Sequence, residues 1–67
     1  MNKDTLRGNW KTLKGKAKEQ WGKLTDDDLE RAEGNYDQLV GSLQERYGYE
    51  KDMASKEVDD FIGRQRH

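Results

Sequence analysis

Residues 8–22 read GNWKTLKGKAKEQWG, and residues 34–48 read GNYDQLVGSLQERYG. Superimposed at an offset of 26 residues, they share the pattern G-N-[WY]-x-x-L-x-G-x-[AL]-x-E-x-[WY]-G. In and around the first copy the apolar positions are Leu6, Trp10, Leu13, Ala17, Trp21 and Leu24, at steps of four, three, four, four and three. At about 100° per residue these positions form one narrow stripe along a helix. Around the second copy, Leu29, Ala32, Tyr36, Leu39, Val40, Leu43 and Tyr47 share a face in the same way. No stretch alternates as a strand would, and the chain has no proline to forbid helix. The pattern predicts an all-α chain.

Punctuation divides it into four helices, at about 4–21, 26–33, 36–47 and 50–63. Asn2 or Asp4 can cap the first. Thr25 precedes Asp26, Asp27 and Asp28, an N-cap followed by acids where the helix dipole favours negative charge. Asn35 with Gln38 three residues on restarts the helix after Gly34. The last helix carries Ala54, Val58 and Phe61 at helical steps, flanked by Met53 and Ile62. Gly22 and Gly48 each follow an aromatic and suit a left-handed stop.

The central glycines are harder to place. Gly15 lies roughly 140° round the helix from Trp10, and Gly41 stands likewise to Tyr36. A mid-helix glycine costs about 0.5–1 kcal/mol relative to alanine. Two readings compete: another element approaches the backbone closely there, or the glycines are tolerated. Close approach is the expectation, with Gly41 more crowded than Gly15.

Sixty-seven residues suffice for a single domain, 1–67, near the lower limit for folding without a staple. There is no cysteine, so neither a disulfide nor a thiolate metal site is available. Hydrophobic residues make up 30% and charged residues 40%, a composition that leans toward disorder. Six aromatics and a net charge of −1 pull the other way. A folded domain of modest stability is expected. Residues 1–4 lack an apolar signal region, and no apolar run approaches a membrane span. A cytoplasmic monomer is the expectation.

The charge is divided unevenly. Residues 1–24 hold seven Lys/Arg against two Asp/Glu, and the remainder holds six against twelve. The two parts can attract each other within the fold, or the basic part can await an anionic partner. Arg7, Lys11, Lys14 and Lys18 flank one side of the first apolar stripe and are the candidate anion-facing residues. With Trp10 and Trp21 they could grip a nucleic-acid backbone and stack bases, or lie on an anionic membrane. If the tryptophans are core, the lysines are a solvated rim.

No catalytic constellation is visible. The one histidine, His67, is terminal, and neither Ser42 nor Ser55 has a histidine at helical spacing. The acids 26–28 point in different directions on a helix and lack the alternate spacing of a calcium loop. The glycines have no lysine–hydroxyl pair after them and no strand before them, so no phosphate loop is present. The sequence leads to no catalytic residue, no cofactor and no metal site, and no small-molecule substrate is expected.

The segments GKAKEQWGKLTDDDL (15–29) and EGNYDQLVGSLQERYGYEKDMASKEVDDF (33–61) resemble the CsbD-like family of small bacterial proteins. The specific parts are residues 22–25, Glu33-Gly34, residues 37–39 with Gly41, and residues 44–49. Asn35 stands where the family more often has lysine. The resemblance implies a compact four-helix fold of two crossed α-hairpins, similar to SAM-like domains, and expression tied to general stress responses. It carries no site residue to transfer. The expected function is therefore a non-enzymatic, stress-associated protein acting through its surface, with nucleic-acid binding by the basic first helix as the alternative.

Overall fold

Each copy of the repeated pattern folds as an asparagine cap followed by a helix. A computed structural model describes residues 3–64, with side chains from Leu6 onward. Among these the elements are α1 (Lys3–Gly8), α2 (Trp10–Gln20), α3 (Asp26–Ala32), α4 (Tyr36–Tyr47) and α5 (Lys51–Arg64), and no strand. The all-α expectation holds. Asn9 is the N-cap of α2 and Asn35 that of α4, so the Gly-Asn pair marks a helix start both times.

That corrects the first boundary. The helix expected at 4–21 is broken at Asn9 (φ −118°, ψ 19°) and ends at Gln20, so among the described residues five helices stand where four were expected. Glycine beside asparagine is a weak helical pair, and tertiary packing exploits the weakness. The break lets α1 lean on α4 and bury Leu6 completely. Asp4 lies inside α1 and is not its cap; Asn2 and His67 fall outside the described residues.

The other starts are as read. Thr25 Oγ1 accepts from the Asp28 amide at 3.1 Å, and Asp28 Oδ2 accepts from the Thr25 amide at 3.1 Å, a reciprocal box that satisfies two amides at the head of α3. Asn35 Oδ1 accepts from the Gln38 amide at 3.0 Å. Between α3 and α4, Glu33 (φ 49°) and Gly34 (φ 80°) are both left-handed and reverse the chain, so these are two helices rather than one kinked helix.

The glycines reverse their expected roles. A Cβ on Gly15 or Gly41 would meet nothing within 4 Å, so neither marks a close approach. Both lie far round from the apolar stripe, on the exposed side of their helices. The crowded position is Gly34, where a Cβ would sit 2.8 Å from Arg7 Cα and 3.0 Å from Trp10 Cβ. Gly48 (φ 73°) makes the left-handed stop of α4, but Gly22 has no positive φ. α2 ends instead at Trp21 (φ −124°), whose amide still bonds the Ala17 carbonyl at 2.9 Å.

Both tryptophans belong to the core. Trp10 Nε1 donates to the Leu29 carbonyl at 3.1 Å, and Trp21 Nε1 to Glu57 Oε1 at 3.3 Å. The Trp21 ring lies 4.9 Å from that of Phe61, tilted by 50°. They pack with Leu6, Leu24, Leu39, Leu43 and Val58, among others, in one cluster to which every described helix contributes. Each such side chain gains about 1.5–3 kcal/mol from leaving water. Tyr36 closes the α4–α5 contact: its hydroxyl donates to Asp59 Oδ1 at 2.8 Å, with the Ser55 carbonyl 3.3 Å away. Burial, then the Asp59 bond, raises the Tyr36 pKa.

Candidate functional site

The four basic residues singled out from sequence meet different surroundings. α2 runs beside α3, whose exposed side carries Asp26 and Glu30. Lys14 Nζ donates to Glu30 Oε1 across the gap. Lys18 Nζ donates to the Leu24 carbonyl at 3.0 Å and lies 3.5 Å from Asp26 Oδ1. Each ion pair joins the basic beginning of the chain to its acidic remainder. The two lysines are partly exposed and the two acids largely so, and the pairs contribute about 0–1 kcal/mol apiece. Their main effect is to offset two lysines of the stripe.

Arg7 and Lys11 are exposed and make no ion pair among the described residues. The break at Asn9 places Arg7 at the end of α1, over the α3–α4 turn, where its Cα meets Gly34. There it joins Arg31, from the last turn of α3, along an open groove of about 470 Å³ that also includes Glu33, Asn35 and Gln38. A second open groove, of about 490 Å³, shares Arg31, Asn35 and Gln38 and runs down α4 past Gly41 toward Glu45. Neither indole reaches these surfaces, which removes the base-stacking and membrane-inserting roles considered for Trp10 and Trp21.

Arg31 was not legible as a site residue. Its only sequence signal is a basic residue in the last turn of a helix, three positions before a Gly-Asn pair, and the fold alone brings Arg7 to it. The same holds for Arg46 and Asp28. Arg46 grips the Asp28 carboxylate through Nε (2.7 Å) and Nη2 (3.1 Å), and Asp28 is 3% exposed. The Arg46 bonds, then the Thr25 amide, hold the Asp28 carboxyl down at about 2. Among the described residues no three His, Cys, Asp or Glu cluster as metal ligands, and no helix is long and apolar enough to cross a membrane.

The family model described as CsbD-like matches residues 4–56. The chain belongs to the CsbD-like family. This CsbD-like chain is 69% identical over 61 residues to the UPF0337 protein YjbJ of Escherichia coli, covering 91% of the chain and 88% of the relative. It is 74% identical over 58 residues to a UPF0337 protein of Pectobacterium atrosepticum, covering 87% and 84%. A UPF0337 protein of Pseudomonas aeruginosa is 58% identical over 64 residues, covering 96% and 98%.

Proposed function

We propose that this CsbD-like chain is a non-enzymatic, stress-associated cytoplasmic protein that works as a single domain, 1–67, through its charged surface. The observation that carries the reading is the disposition of its apolar side chains. Both indoles and the aliphatic set are withdrawn into one core with their polar atoms satisfied, and among the described residues Met53, 51% exposed, is the only large apolar side chain left outside. What the molecule offers a partner is a mosaic of Lys, Arg, Asp and Glu on helical scaffolding. The stress association rests on family membership.

Complementation tests this. A host lacking its own CsbD-like protein is given the parent chain, or a chain with exposed charges of α2 and α4 reversed and the core untouched, and is grown through a stress. Circular dichroism first verifies that the variant is folded. Rescue by the parent but not by the reversed chain supports action through the surface; equal rescue by both overturns it.

Nucleic-acid binding through Arg7, Lys11, Lys14 and Lys18 is the second reading, favoured by the exposure of Arg7 and Lys11. Titration with mixed-sequence DNA and RNA at two salt concentrations decides it. Micromolar binding that weakens steeply with salt supports this reading, and no binding at about 50 mM salt removes it.

A further inference from the structure

Gly34 has a consequence for chemistry as well as for the turn. Because its Cβ position lies against Arg7 Cα, only glycine lets α1 settle on the α3–α4 turn. That settling brings Arg7 and Arg31, distant in sequence, to one groove with the carboxamides of Asn35 and Gln38. Neither guanidinium has an ion-pair partner among the described residues, although Glu33 shares the groove. Elsewhere, Lys14, Lys18 and Arg46 are all engaged with carboxylates.

We propose that the Arg7–Arg31 groove binds a compact phosphate dianion, inorganic phosphate or a small phosphate monoester, held by the two guanidinium groups with Asn35 and Gln38 donating to its remaining oxygens. The proposal rests on the surface reading above and names a ligand chemistry for it. Planar guanidinium groups present paired N–H donors that match phosphate oxygens, and with two of them the groove stays net positive beside Glu33. The ligand is compact because of what borders the groove. Glu33 lies within it, and Asp37 and Glu45 line the groove continuing down α4. A compact anion in this groove meets one carboxylate, Glu33, whereas an extended polyanion continuing down α4 would also meet Asp37 and Glu45. The site uses side chains: the Gln38 amide at the head of α4 is already taken by Asn35.

The test is a ¹⁵N-resolved titration of the full chain with inorganic phosphate and, separately, with glycerol phosphate, at neutral pH and ionic strength held constant with chloride. Saturable shifts are expected at Arg7 and across residues 31–38. Arg31→Gln and Arg7→Gln should each weaken binding on the order of tenfold. Lys14→Gln should leave it unchanged. Both arginines are exposed, so the variants should keep the parent's helical spectrum. Tighter binding of glycerol phosphate would identify a monoester as the ligand, and equal binding would identify phosphate itself. Shifts reproduced by chloride alone, full binding by Arg31→Gln, or shifts running along α2 through Lys11 and Lys14 would each overturn the proposal. Its failure is separate from failure of the surface reading, which the charge-reversed chain decides whether or not phosphate binds.

Discussion

The two copies of the repeat share a pattern and divide the labour of the fold unequally. In the first, Gly8 closes α1 with open space around it; in the second, Gly34 is left-handed and pressed against Arg7. The Asn9 side chain accepts no capping bond from the first-turn amides of α2, whereas Asn35 accepts from the Gln38 amide. Trp21 is buried against Phe61, while its counterpart Tyr47 is half-buried, stacks on Tyr49 at 5.2 Å and accepts from the Lys23 amide. Gly22 avoids the left-handed region that Gly48 occupies. Gln20 is exposed where Arg46 holds Asp28. A repeated pattern fixes helix, stripe and start; it does not fix which neighbour each copy meets. The second copy lies between α1, α3 and α5, and its end residues are recruited accordingly.

The largest expected asymmetry is at the closing aromatics. Trp21→Ala should cost about 3–5 kcal/mol, enough to unfold a domain of modest stability. Tyr47→Ala, removing a half-buried ring, should cost about 1–2 kcal/mol. Urea midpoints compare them, and equal losses would mean the copies carry equal shares of the core.

Next comes the leading glycine. Gly34→Ala meets both a backbone atom and an unfavourable φ, and should destabilise by about 2–4 kcal/mol. Gly8→Ala should be neutral or stabilising by up to about 1 kcal/mol. Thermal melts read the opposite signs, and a tolerated alanine at 34 would break the account of how α1 is seated.

The Asp28–Arg46 bond belongs to the second copy alone. Asp28→Asn should destabilise by about 1–2 kcal/mol through the lost cap and ion pair. The native carboxyl titrates near 2, below its ordinary 3.8, so its contribution is fully present above about pH 4 and is lost as pH falls toward 2. Acid unfolding of Asp28→Asn should therefore lack that part of the slope, whereas Gln20→Ala should leave the slope intact.

The smallest effect is where the copies should agree. Gly15→Ala and Gly41→Ala should each stabilise by about 0.5–1 kcal/mol, since each adds helix propensity to an open site. A lower melting temperature for either would mean that an outside chain packs there.

From the sequence alone came the helical class, the apolar stripes and the Thr25 and Asn35 caps. These follow from spacing and local hydrogen bonding, which a residue carries wherever it is placed. The break at Asn9 was locally encoded by the same Gly-Asn pair read correctly at residue 34, but the unbroken apolar stripe across it concealed the signal. Which glycine is crowded could not be read from spacing, because crowding at Gly34 depends on α1, whose direction the break sets. The pairings of Lys14 with Glu30 and Arg46 with Asp28, and the meeting of Arg7 with Arg31, were decided only by tertiary structure. Charge acts through space, and sequence order does not say which helices will lie side by side.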